Sequence, residues 1–261
     1  MAEQPIRFDD GAAYEQYMGV WSQEAGSQFL NWLNPAVQQS WLDVGCGNGA
    51  FTQLLLDRCN AQSIQGIDPS PEQILFAQNR FARTSARFML GDSMALPLPD
   101  ASVDHAVMAL VIFFVTDPAR GVAEMARVLK TAGVASAYAW DIEGGGFPWA
   151  AIQNGLRAIG LAPALPPSPH AANLGELHQL WHAAGFVEVQ THTLTVARTF
   201  GTFEEYWRIG LQGPSIRSRT DPLSQEQRQG LKEAVRALLG GAKEPITVTA
   251  RAHAVKGVKL G

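Results

Sequence analysis

Three carboxylates and a cluster of glycines are the residues of this chain best placed to do chemistry. Between Trp41 and Gly49 an apolar run that contains Asp43 breaks into Gly45, Cys46, Gly47, Asn48 and Gly49, and a helical pattern with Phe51, Leu54 and Leu55 follows. Glycines at such a strand-to-helix turn let the backbone bend sharply and let a ligand approach without a Cβ in the way. Asp68 closes the next apolar run, where a carboxylate can accept both hydroxyls of a ribose. Asp92, flanked by Gly91 and Ser93 after a third run, can accept a hydrogen bond from an adenine amino group. A tight turn of purely structural purpose would not need acids at all three places.

Asp43 narrows the ligand. It stands two residues before the first glycine, near where the pyrophosphate of a dinucleotide would lie, and a carboxylate there repels phosphate and attracts an ammonium group. The spacing is GxGxG, without the GxGxxG dinucleotide fingerprint. S-adenosylmethionine has no phosphate and carries an amino group, so these residues suit it better than a nicotinamide dinucleotide. An oxidoreductase is the reading that Asp43 argues against.

These residues need strand ends to hold them, and the pattern supplies such ends. Apolar runs at 41–44, 63–67, 87–90, 103–109 and 134–140 alternate with helical patterns, which predicts a parallel, doubly wound α/β sheet. Ser70, Pro71 and Gln73 form a helix start of the capping-box kind, with the helix running to about Ala82. A further helix presents Val122, Met125, Ala126 and Leu129 on one face and is expected to end at Gly133. Tyr14, Tyr17, Met18, Trp21, Phe29 and Leu30 mark amphipathic helices ahead of the sheet. After Asp141, the glycines 144–146 and the prolines between Pro163 and Pro169 bracket a helix near 150–159. Helices at 175–184, 203–211 and 225–239 and strands at 187–196 and 246–255 complete the pattern, the last two strands as an antiparallel hairpin-like edge.

With these features in view, the chain resembles the class I S-adenosylmethionine-dependent methyltransferases, particularly the ubiquinone/menaquinone-biosynthesis-like group. The resemblance is carried by YMGVWS, LDVGCGNG, IDPS, GDSMALPLPDASVD and DPARGVAEMARVLK, and it spans Tyr14 to Trp140. It departs from that group where Thr131 and Ala132 replace a Pro-Gly pair before Gly133. It implies one domain over residues 1–261, a Rossmann-like, mostly parallel seven-stranded sheet with an antiparallel edge strand, and helical cap elements. Residues 10–34 would form a cover, and 142–172 with 200–242 a substrate cap. It also implies S-adenosylmethionine as cofactor, S-adenosylhomocysteine as product, and O-, C- or N-methylation of a small molecule. Asp43, Gly45 and Gly47 would hold the methionine part, Asp68 the ribose, and Asp92 with Ser93 the adenine. Cys46, Pro69, Gln73 and Gly91 would complete that set, Ala109 and Leu110 would line the cleft, and Tyr17 and Trp21 would close over it. A non-catalytic S-adenosylmethionine sensor or partner protein is the alternative.

On the acceptor side the residue types are less specific. Phe113 and Phe114 follow the fourth strand and can line the cleft or the core; Trp149 and Trp207 can add aromatic surface. Asp141, His170 and Tyr138 are the bases to nominate if the acceptor must lose a proton, whereas an acidic phenol or stabilised carbanion needs none. The fourth strand is followed by Ala109, Leu110, Val111 and Ile112 instead of the Asn or Asp, Pro, Pro, aromatic quartet used for base amino groups, which favours a small organic acceptor. His178 and His182 lack the glutamate of HExxH and flank an apolar stripe, so no metal site is expected. His105 reads as a core histidine and Cys46 as a small buried hydrophobe.

Composition sets the outer bounds. The chain has 261 residues, 46% hydrophobic and 17% charged, with 24 acids against 20 bases, the profile of a globular protein with one large core. There is no basic run to neutralise phosphates, so nucleic acid is not an expected partner. The longest apolar run, Ala106 to Val115, is too short to cross a bilayer. Two cysteines without a ligand pattern suit a reduced, cytoplasmic setting, and a monomer or homodimer is expected.

Overall fold

A computed structural model describes residues 15–241 and 243–261; Tyr14, the first part of the expected 10–34 cover and Ala242 lie outside them. A π-helical turn at Glu15–Gly19 leads into α1 (Val20–Leu33). There follow β1 (Ser40–Val44), α2 (Ala50–Arg58), β2 (Ser63–Asp68), α3 (Pro71–Arg80), β3 (Arg87–Leu90) and β4 (Val103–Ala109). Then come α4 (Pro118–Val128), β5 (Leu129–Trp140), α5 (Ala150–Ala158), α6 (Leu174–Ala183) and β6 (Phe186–Phe200). The chain closes with α7 (Phe203–Gly210), α8 (Pro214–Thr220), α9 (Gln225–Leu238) and β7 (Ile246–Lys259).

The strands form one seven-stranded sheet in the order β3-β2-β1-β4-β5-β7-β6. β1 to β5 are mutually parallel, as the helical crossovers require. The expected antiparallel strand is the last of the chain: β7 inserts between β5 and β6 and runs against both. Every residue of β1 is buried, because helices cover both faces of a parallel sheet. The strand order reverses between β1 and β4, and the crevice at their carboxyl ends is where such sheets bind ligands.

Local signals set the helix starts. The Ser70 hydroxyl accepts from the Gln73 N–H at 3.3 Å with Pro71 behind it, and the Asp117 carboxylate accepts from the Arg120 N–H at 3.1 Å ahead of Pro118. Ser224 and Gln227 make a full capping box on α9. Several boundaries differ from the sequence pattern, β7 among them, which runs on to Lys259. α4 stops at Val128 and the chain enters β5 at once, so Gly133 lies within the strand; Ala132 takes φ 61 and the β4–β5 register slips there. β6 runs on to Phe200 because β7 pairs with it as far as Ile246. α8 is a helix that the pattern did not mark, since seven residues with only Ile216 and Thr220 buried show no period.

Candidate functional site

The glycine turn joins β1 to α2 at the crevice. Gly45, Gly47 and Gly49 have φ of 74, 52 and 82°, the left-handed region that glycine enters at little cost. A Cβ on Gly45 would stand 2.6 Å from Val111, whereas one on Gly47 would meet nothing within 4 Å. The turn is therefore packed behind and open in front of Gly47. Asp68, at the end of β2, braces it: Oδ2 accepts from the Gly47 N–H and Oδ1 from the Ser70 N–H, each at 2.9 Å. Burial raises the Asp68 pKa, and those two N–H groups oppose the rise. Each carboxylate oxygen keeps a lone pair for a hydroxyl.

Asp43 is a carboxylate inside the central strand, 1% exposed. Thr52 Oγ1 donates to its Oδ2 at 2.7 Å, and its Oδ1 has no hydrogen-bond partner among the described residues. Burial pushes its pKa up to about 7, with the nearby Asp68 adding to the rise and Thr52 opposing it. A buried oxygen left without a donor is costly. An ammonium group brought to the glycine turn would supply that donor, so the residues present fit an amino-bearing nucleoside and do not fit a pyrophosphate.

The other residues expected around the cofactor stand at neighbouring strand ends. Asp92 is exposed and its Oδ1 accepts from the Met94 N–H at 2.8 Å, which shapes the turn with Gly91 and Ser93 after β3. Pro69 is exposed and Gln73 half-buried beside Asp68. Ala109 ends β4, and Leu110 follows at φ 61 with its N–H bonded to the Tyr138 carbonyl at 2.8 Å.

An apolar cavity begins at Leu110. Phe113, Phe114, Trp140 and Ile142 line it from the sheet, Phe147, Gln153, Ala164 and Pro166 from the segment after β5, and Tyr17, Met18 and Ser215 from helical elements. Phe113 is buried and Phe114 half-exposed, and their rings meet edge to face at 4.6 Å. The Ser168 hydroxyl donates to the Val115 carbonyl at 2.8 Å and its N–H to the Phe113 carbonyl at 3.0 Å, which fixes this wall. Sequence reasoning missed Trp140, Ile142, Gln153 and Ser215. Gln153 alone left a signal, as a polar residue beside Ile152 on the buried face of α5.

Several expected acceptor-side residues are placed elsewhere. Asp141 is 3% exposed and committed to structure: Arg251 Nε donates to Oδ2 at 2.8 Å, Arg251 Nη2 donates to the same oxygen, and the Gly144 N–H bonds Oδ1 at 2.9 Å. That arrangement also pins the Gly144 to Gly146 run. Tyr138 packs against Phe29 at 4.7 Å and Phe51 at 5.8 Å, under α1 and α2, away from the cavity. His170 is exposed in the short turn Pro169–Ala172. None of these three lines the cavity. Trp149 is fully buried, stacked on Tyr17 at 5.2 Å with Trp21 edge-on at 6.4 Å and Tyr206 at 5.1 Å. It joins the N-terminal segment to α5 and α7 instead of facing the cavity. Trp207 stacks on Phe203 at 6.3 Å and is likewise outside the lining.

Burial pushes the Cys46 thiol pKa far up, which makes it inert. His105 stacks on Trp41 at 4.2 Å, burial holds its pKa near 4, and its Nδ1 has no partner among the described residues, so it is a core histidine. His178 and His182 are exposed, and no group of three potential metal ligands occurs among the described residues.

Residues 42–137 match the methyltransferase domain family. Over 121 residues the chain is 36% identical to an uncharacterized methyltransferase of Mycobacterium tuberculosis, covering 46% of each chain. Over 94 residues it is 36% identical to 2-methyl-6-phytyl-1,4-hydroquinone methyltransferase 2 of Oryza sativa, covering 36% of this chain and 27% of that one. The chain thus spans about half the length of the mycobacterial relative and less of the rice one. In structure it is similar to the Haemonchus contortus phosphoethanolamine N-methyltransferase 2 solved with S-adenosylhomocysteine, with a TM-score of 0.61, 18% identity, and 96% of this chain and 57% of that one covered. At that identity the likeness concerns the fold.

Proposed function

We propose that this chain, which belongs to the class I S-adenosylmethionine-dependent methyltransferase fold family, transfers a methyl group from S-adenosylmethionine to a small molecule held in the apolar cavity. The observation that carries the proposal is the unpartnered Oδ1 of buried Asp43 beside the open, positive-φ glycine turn. Asp43 would hold the amino group, the turn around Gly47 the methionine part, Asp68 the ribose, and Asp92 with Ser93 the adenine. The cofactor supplies a sulfonium methyl already activated for nucleophilic attack, with the sulfur keeping the bonding electron pair as a neutral thioether. The protein's task is then to hold the acceptor in line and keep water out.

Leu110 supports this division of labour, because it stands at the end of β4 beside the glycine turn's backing residue Val111 and also forms one wall of the cavity. No Asp, Glu, His, Lys or Cys lines the cavity among the described residues. An acceptor hydroxyl would therefore enter uncharged and pass its proton to solvent as the methyl arrives, without a base from the cavity wall. The N-terminal segment and the stretch 142–172 would act as one cap, since Trp149 stacks on Tyr17. The hydroquinone acceptor in the name of the rice relative suits an apolar cavity, and the charged ligand of a phosphoethanolamine enzyme does not.

Calorimetric titration with S-adenosylhomocysteine is the direct test. Binding accompanied by a raised thermal midpoint is expected; no heat and no shift at saturating ligand would refute the proposal. Tight binding with no methyl transferred to any acceptor in a metabolite screen would select the sensor reading instead.

A further inference from the structure

We infer that Gln153 is the recognition residue of the cavity, and that the cavity takes an uncharged, apolar molecule presenting one hydrogen-bonding oxygen to the Gln153 carboxamide. This rests on the proposed function and names the class of acceptor it would use. Gln153 is 6% exposed, yet its carboxamide makes no hydrogen bond among the described residues; its backbone N–H donates to the Trp149 carbonyl at 3.2 Å. Its helix neighbours Ile152 and Leu156 are completely buried. A carboxamide on an apolar helix face, lining a cavity and partnered by nothing in the described fold, is a donor–acceptor pair awaiting a ligand.

The rest of the wall says what that ligand lacks. Besides Gln153, polar side-chain atoms at the cavity come from Tyr17, Ser215 and the indole N–H of Trp140; the remaining lining residues offer only carbon and the Met18 sulfur. No carboxylate, ammonium or guanidinium from the described residues lines it. A carboxylate, phosphate or ammonium on the ligand would be buried without a counter-charge, which is strongly unfavourable. The Phe113 and Phe114 rings, set at 63° to one another, offer an edge and a face to an unsaturated ring.

The probes are 2-naphthol, naphthalene and 2-naphthoate, titrated calorimetrically into the full chain at saturating S-adenosylhomocysteine. The inference expects 2-naphthol to bind at least about 100-fold more tightly than 2-naphthoate. Gln153→Leu should weaken 2-naphthol by about tenfold and leave naphthalene unchanged. Phe114→Lys, at the partly exposed wall, tests the same idea without touching the buried helix face: it should raise the affinity for 2-naphthoate relative to 2-naphthol. Failure of 2-naphthol to bind, equal binding of 2-naphthoate, or an unchanged 2-naphthol affinity in a folded Gln153→Leu would each overturn the inference. S-adenosylhomocysteine binding is measured first and alone. Its absence with Gln153-dependent naphthol binding intact refutes the methyltransferase proposal and leaves the cavity's selectivity standing.

Discussion

Asp43→Asn separates what the buried carboxylate costs the fold from what it contributes to binding. Burial raises its pKa from 3.8 to about 7, so between those values the folded chain holds a proton that the unfolded chain releases. The stability contributed at this position is therefore full below about pH 4, declines as pH rises, and is gone above about pH 7. Roughly three pH units at 1.36 kcal/mol each give about 4 kcal/mol, and relaxation around the ionised group brings the expected figure to about 2–4 kcal/mol. In Asp43→Asn the amide oxygen still accepts from Thr52 and nothing titrates. Equilibrium urea unfolding of both proteins from pH 4.5 to 8.5, without ligand, should show the variant gaining on the native chain by that amount between pH 4.5 and 7.5, with no further change above. Titration of S-adenosylhomocysteine at pH 8 should show the opposite ranking, the variant binding at least about tenfold more weakly because its ammonium partner is gone. A stability difference independent of pH would refute the assigned burial cost, and equal affinity at pH 8 would refute the role toward the amino group.

Other substitutions probe the remaining parts of the site. Asp68→Ala should weaken S-adenosylhomocysteine by about 10- to 100-fold in the same titration, since bonds to a charged acceptor contribute on the order of 1.5–3 kcal/mol; unchanged affinity would place the ribose elsewhere. Gly45→Ala and Gly47→Ala should differ, because only the first drives a Cβ into Val111. The first is expected to lose about 2–3 kcal/mol of stability and the second about 1 kcal/mol, the second mainly impairing ligand binding; equal losses in denaturation would contradict this. Trp149→Ala should cost about 3–5 kcal/mol by leaving a hole among Tyr17, Trp21 and Tyr206, and a loss under 1 kcal/mol would show that it is not the joint of the cap. Hydrogen exchange with S-adenosylhomocysteine should add protection at residues 15–22 and 144–170; protection confined to the glycine turn, Asp68 and Asp92 would mean that these segments merely pack.

The sheet, the glycine turn and the acids beside it were legible in the sequence because each is a local event. β1 is an apolar run ended by glycines, Ser70 caps the helix that starts next to it, and Asp68 and Asp92 stand at strand ends whose place in a parallel sheet follows from the strand–helix alternation. The family resemblance rests on the same stretch, residues 14–140. What the tertiary structure decided are the contacts between residues far apart in the chain. Asp141 reads as a candidate base until Arg251, 110 positions away, takes its carboxylate. Trp149 reads as acceptor surface until Tyr17, far earlier in the chain, stacks on it. The cavity draws its walls from segments spread between Tyr17 and Ser215, and no pattern of period 2 or 3.6 links them. Periodicity records which face of one element avoids water; which polar group on that face is left without a partner depends on every other element that packs against it.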